Sequence, residues 1–212
     1  MKNKIIISKD AGAPLIKYLE ETGCEYELFG PLKNVAEPIR NHPDLLYVRL
    51  NEDTLFKGDA SKLGPEYPED IRYNAFSTGK YLIHDLRYTD KELLRAAEDL
   101  GLIPVSVRQG YSGCSIVPVD EDSIITYDRG IADKALKSGL NVLLTEPGHV
   151  RLDGYATGFM GGASGRIGGE IIFNGDLSKH PDCRAITDFI EARGLRVKYF
   201  TEYELTDIGS II

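Results

Sequence analysis

The sequence predicts an α/β domain assembled from repeated strand, strand, helix, strand units, about five in number, with the second degenerate. Three observations carry this. The same order of elements recurs in Lys80 to Val117, Ser123 to Gly162 and Glu170 to Ile212; each amphipathic helix closes on a glycine; and two alternating hairpins with acidic turns, IVPV-DEDS-IITY and YVRL-NED-TLFK, match each other.

In chain order, IIISKDAGAPLIKYLEETGCEYELFG reads as strand, helix, Gly23 and strand. HPDLLYVRLNEDTLFKG reads as two strands around an Asn-Glu-Asp turn, and the Pro-, Gly- and Glu-rich segment Lys62 to Asp70 stands where a helix would follow. In the remaining units, apolar residues spaced by three and four predict helices: Leu93, Leu94, Ala97 and Leu100; Ile131, Ala135 and Leu136; Ile186, Phe189 and Ile190. Gly101, Gly139 and Gly194 end them, as the residue that most readily takes the left-handed C-cap. Short apolar strands, IPVSV, NVLLT and RVKYF, come next. Such units cannot bury their faces alone. A ring of them closes the sheet edges and gathers the glycine-rich bends round one axis, so the expectation is a single domain over residues 1–212. An open doubly wound sheet is the alternative, but no strand-to-helix turn carries GxGxxG or GxxxxGK[ST].

Composition narrows the functional classes. A formal net charge of −8, with Lys and Arg clustered no more than in pairs, disfavours a nucleic-acid partner. Apolar runs fall far short of the ~20 residues that span a bilayer, and MKNKIIISKD has no signal-peptide core, so no membrane partner and a cytoplasmic location are expected. Cys24, Cys114 and Cys183 show neither CxxC spacing nor a histidine pair nearby, which argues against zinc and against a disulfide framework. No metal and no cofactor motif is read. The expected partner is a small molecule, cationic or neutral, given the acidic chain.

The repeat pattern resembles the pentein fold, an α/β propeller of about five ββαβ pseudo-repeats shared by the guanidine-group-modifying enzymes and the ribosome anti-association factor. The likeness covers nearly the whole chain as pattern. In those enzymes the nucleophile is a cysteine in a glycine-rich bend entering a strand, and GYSGCSI, with Cys114, is similar. A histidine from another bend serves as acid and base; GHVRLDG, with His149 and Asp153, resembles its setting. Acidic residues hold the guanidinium, for which the resemblance offers Asp44 in HPDLL and Asp207 in LTDIGSII. The enzymes carry their cysteine near the C-terminus, after the histidine; here the matching place is Gly209 and the order is reversed. The resemblance implies a cysteine-dependent hydrolase or deiminase acting on a guanidino or amidino compound. It equally allows a non-catalytic ring that binds a ribosomal, protein or small-molecule partner.

The residues bear on that choice directly. Cys114 needs its thiolate favoured over a pKa near ~8.5, which backbone N–H groups of the Gly-Tyr-Ser-Gly bend or a nearby imidazolium can do; equally, free cysteine is a common core residue. Catalytic candidates are therefore Cys114 and His149, and substrate-binding candidates are Asp44, His42, Asp153, Asp207 and Tyr111. HPD occurs twice: before a strand, with Asp44 free of capping duty, and before a helix, where His180 is expected at the surface. His84 is read as structural, and Phe159 to Gly165, FMGGASG, as a site of close backbone approach.

Overall fold

The computed structural model describes residues 4–212. It is a mixed α/β structure of five small sheets. The first pairs β1 (Ile5–Ser8) with β2 (Tyr26–Phe29) in parallel across helix α1 (Ala13–Glu21). The second is the antiparallel pair β3 (Tyr47–Arg49) and β4 (Leu55–Lys57), followed by turns and a short 3-10 segment, Ala60–Lys62, with no α-helix.

Each of the other three sheets has one plan: an antiparallel hairpin, a nine-residue helix and a parallel third strand. In the third sheet these are β5 (Phe76–Ser77), β6 (Tyr81–His84), α2 (Lys91–Asp99) and β7 (Ile103–Ser106). A single turn, α3 (Ser112–Ser115), then leads into β8 (Ile116–Asp120), β9 (Ser123–Thr126), α4 (Arg129–Lys137) and β10 (Asn141–Leu144). The fifth holds β11 (Ser164–Ile167), β12 (Glu170–Phe173), α5 (Cys183–Glu191) and β13 (Arg196–Lys198). No helix of the described residues is long and apolar enough to cross a membrane.

Local sequence explains the helices. Asp90 and Asp128 cap α2 and α4 by accepting from the backbone N–H of Glu92 and Ile131, and Pro14 sits in the first turn of α1. Glycines 23, 101, 139 and 194 follow the four long helices with φ between 66° and 94°, a conformation costly for residues bearing a Cβ. A nine-residue helix presents only a narrow stripe to its sheet. Leu93 with Ala97, Ile131 with Ala135, and Ile186 with Ile190 are buried, whereas Leu100 and Leu136, expected on the apolar face, are 40% and 55% exposed.

The core is divided among four apolar clusters, and each joins neighbouring sheets. One packs Ile6 with Tyr47 and Val48 of the second sheet and Leu82 of the third. Another joins Ile83 and Val105 to Ile116 and Ile124, and a third joins Val117 and Ile125 to Ile171 and Phe173. The last returns from the fifth sheet to the first, packing Ile172, Ile208 and Ile211 on Ile5, Ile7 and Leu15. At that junction the C-terminal residue pairs with β1: Ile212 N–H donates to Ile6 O at 3.0 Å, and Ile6 N–H donates to Ile212 O at 2.6 Å. A cavity of about 440 Å³ is walled by β3, β5, β8 and β11, one strand from each of four sheets, and by the C-terminal segment Ser210–Ile212 that bonds to β1 of the first.

The C-terminal pairing gives a stability test. Ile211 is 5% exposed within the cluster that joins the fifth sheet to the first. Ile211→Ala should cost about 2–4 kcal/mol, read from urea unfolding, by loss of buried methylenes and the cavity they leave. A loss well under 1 kcal/mol would mean that this segment is not needed to hold the two sheets together.

Candidate functional site

The five chain segments that enter the cavity-lining strands meet at one buried polar cluster. His42 and Asp44 precede β3, Asn74 precedes β5, Cys114 precedes β8, Gly162 precedes β11, and Asp207 to Ser210 lead into the C-terminal segment. Backbone hydrogen bonds tie the bends in sequence. Gly113 N–H donates to Asn74 O at 3.0 Å, Gly162 N–H to Cys114 O at 2.7 Å, Ser210 N–H to Gly162 O at 2.8 Å, and Asp44 N–H to Gly209 O at 3.2 Å.

Only small residues permit this approach. A Cβ on Gly162 would overlap the Asp207 carboxylate, and one on Gly161 would overlap the backbone of Cys114 and Ile116. Gly209 has φ +73° and lies against His42, where a Cβ would overlap the imidazole side chain. The FMGGASG segment is thus a packing device at the site, in keeping with its composition.

Side chains complete the cluster. Cys114 Sγ donates to Asp44 Oδ2 at 2.9 Å, and Ser210 Oγ donates to the same oxygen at 2.8 Å. Asn74 holds the cysteine from the other side: its Nδ2 donates to Sγ at 3.3 Å, and its Oδ1 accepts from Cys114 N–H at 3.3 Å. Asp207 accepts from Phe159 N–H at 2.9 Å and from Gly209 N–H at 3.0 Å, and an Asp207 oxygen lies 3.8 Å from His42 Nδ1. One ligand-type atom each from His42, Asp44 and Cys114 falls within 4.8 Å of the others.

Burial dominates the electrostatics. It pushes the Cys114 thiol well above its ordinary value, with the charges of Asp44 and Asp207 adding to the rise and the Asn74 hydrogen bond opposing it. The thiol is therefore protonated at neutral pH and acts as a donor. Burial likewise raises Asp207, against the pull of His42. Among the described residues, no Lys or Arg ion pair or hydrogen bond reaches either carboxylate, so the cluster is formally short of positive charge.

Of the sequence candidates, the fold brings together Cys114, Asp44, His42 and Asp207. It does not bring His149 to the thiol. His149 is exposed at φ 62° and packs edge-on against His180 with ring centroids 5.2 Å apart; the imidazole near Cys114 is His42. Asp153 is exposed and paired with Arg151 at 2.9 Å. Tyr111 donates to Asp70 at 2.5 Å and packs, with its ring tilted, between Tyr67 and Phe159. His180, expected at the surface, is buried at 3% exposure, its Nδ1 accepting from Asp182 N–H at 3.0 Å. The first HPD, expected to run straight into a strand, forms a 3-10 turn over Pro43–Leu45, and the Asp44 side chain caps nothing. Asn74 and Ser210 carry no sequence signal of their own, although YNAFS and GSII, like GCSIV, are short stretches at the cavity wall.

His84 anchors the cysteine bend. Its Nε2 lies 2.8 Å from Gly110 O, which can only accept, so Nε2 carries the proton and Nδ1 accepts from the Thr89 hydroxyl at 2.7 Å. Burial lowers its pKa from 6.5 to about 4. An unfolded chain takes up this proton below 6.5 and the folded chain only near 4, so the contribution is full above pH 6.5 and is lost as pH falls through that window. The loss amounts to about 3 kcal/mol. Urea unfolding at intervals from pH 7 to pH 4 should show this decline, and His84→Gln should flatten it; equal slopes in the two proteins would contradict the assignment.

No curated protein and no solved structure matches the chain. A family model, described as a family of unknown function, DUF6873, matches residues 54–212, a span that takes in Cys114, Asp207 and Ser210 and starts after His42 and Asp44. With well over half of its length matched, the chain belongs to that family.

Proposed function

We propose that the chain is a pentein-like α/β propeller whose axial cavity takes a small cationic compound of the guanidino or amidino class, with Asp44 as counter-ion and Cys114 as nucleophile beside His42. Support for the ring comes from the order of sheet contacts, first to second and onward with the fifth returning to the first, and from a cavity wall made of one strand from each of four sheets plus the C-terminal segment beside β1. Support for a cation comes from the wall, which carries Asp44, Glu52, Asp120 and Glu121 against Arg49 and Arg166.

The single observation that carries the reading is Asp44. It belongs to the cavity wall, receives the thiol and the Ser210 hydroxyl on Oδ2, and keeps Oδ1 buried without a hydrogen-bond partner. A planar cation donating two N–H groups meets that deficit. Its charge beside the thiol would also favour the thiolate, the proton passing to the His42 imidazole. The sulfur would then bond to the central amidine carbon, an amine would leave with the proton returned by the imidazolium, and water would cleave the carbon–sulfur bond to restore the thiol.

A second reading, binding without chemistry, is favoured by the resting state of the thiol, which is protonated, hydrogen-bonded and absent from the cavity wall, where Gly113 stands instead. One experiment separates the two. Agmatine, arginine and benzamidine are titrated by calorimetry and assayed for amine release. Asp44→Asn should weaken binding about 10- to 100-fold, as expected for a lost charge-assisted hydrogen bond, while Cys114→Ser should keep binding and abolish release. Binding without release selects the second reading. Failure of all three cations to bind, or equal binding by Asp44→Asn, would sink both.

A further inference from the structure

The groups gathered behind the cavity wall have the chemistry of a metal site. His42, Asp44 and Cys114 each offer one ligand atom, the three atoms lie within 4.8 Å of one another, and the residues are 4%, 2% and 3% exposed. An independent observation points the same way: Asp44 Oδ1 is buried and accepts no hydrogen bond, a condition that burial penalises and that a cation would meet.

We propose that His42, Asp44 and Cys114 bind a divalent transition-metal ion of the zinc class, Cys114 as thiolate, His42 through one ring nitrogen and Asp44 through a carboxylate oxygen, leaving a fourth position for a ligand from the axial cavity. Mixed nitrogen, sulfur and oxygen donors suit zinc, or cobalt in its place, and do not suit magnesium or calcium, which take oxygen ligands. Tetrahedral bonds of about 2.0–2.3 Å put ligand atoms roughly 3.3–3.8 Å apart. The present spacings, 2.9 Å between Sγ and Oδ2 and at most 4.8 Å across the set, bracket that range. The adjustments needed are within reach of side-chain rotation.

The surroundings match what such a site needs. Metal-binding histidines are commonly backed by a carboxylate, and His42 Nδ1 lies 3.8 Å from Asp207, which two backbone N–H groups fix in place. Ser210 donates to Asp44 and Asn74 to the sulfur, so each of these two ligands has an orienting partner. On binding, the S–H bond breaks, a sulfur–metal bond forms and one proton leaves to solvent, with no change of oxidation state. The inference does not rest on the guanidino reading, but both use His42, Asp44 and Cys114, so metal and organic cation should exclude each other.

The test is a cobalt titration of the full chain carrying Cys24→Ser and Cys183→Ser, so that Cys114 is the sole thiol. Cobalt should bind with one-to-one stoichiometry, give a near-ultraviolet thiolate-to-cobalt charge-transfer band, and be displaced by zinc but not by magnesium. Cys114→Ser should abolish the band, and His42→Ala and Asp44→Asn should each weaken cobalt binding by at least about tenfold. Should Cys114→Ser fail to fold, Asp44→Asn with an intact circular dichroism spectrum decides the matter. Absence of the band in the single-thiol protein, or an unchanged affinity in folded Asp44→Asn, would overturn the proposal. Cation binding measured in chelator-treated protein separates this result from the fate of the guanidino reading.

Discussion

One buried carboxylate oxygen is the point on which the architecture converges. Asp44 Oδ2 accepts from Cys114 and from Ser210, joining the segments that lead into β3, β8 and the C-terminal residues. Backbone bonds from Gly113 to Asn74, from Gly162 to Cys114 and from Asp44 to Gly209 draw in the rest. A carboxylate at 2% exposure needs hydrogen-bond partners, and Oδ2 finds two, each from a different bend. The glycines at 161, 162 and 209 follow from this constraint. Anything larger at these places would overlap the backbone or side chains of a neighbouring bend.

The same constraint sets the charge of the centre. Two carboxylates, a thiol and an imidazole lie together with no arginine or lysine paired to them among the described residues. Folded without a partner, the centre answers by keeping the Cys114 proton and by raising Asp207. A cation would relieve both at once. The proposed organic cation and the proposed metal ion would supply it in two ways that differ in what becomes of the sulfur: a free nucleophile in one case, a coordinated thiolate in the other.

Much of the framework was legible in the sequence. The helix periodicity, the closing glycines and the acidic hairpin turns lie within segments of a few residues, and the structure has helices and hairpins at those places, including the lack of a helix after β4. The exceptions are instructive. Leu136 fits the apolar spacing yet faces solvent, because a two-turn helix covers its sheet with a narrow stripe, and Leu100 does so because α2 ends one residue before it. His180 shares its HPD with His42 and was expected at the surface, yet it is buried against the His149 loop, a contact that no local pattern encodes.

For the site, residue type and local spacing already fix the chemical inventory: a cysteine in a glycine-rich bend, two histidines beside acids, and an acidic C-terminal bend. Which of them meet depends on how the sheets pack. Asp44 and Cys114 are 70 residues apart, and their contact exists because each stands just before a strand of the cavity wall. His149, with the more suggestive local sequence, is turned out to solvent, and His42 takes the place beside the thiol. The reason is physical: spacing along the chain sets the secondary structure, while proximity among bends is set by how the sheets pack against one another, a relation in which every unit takes part.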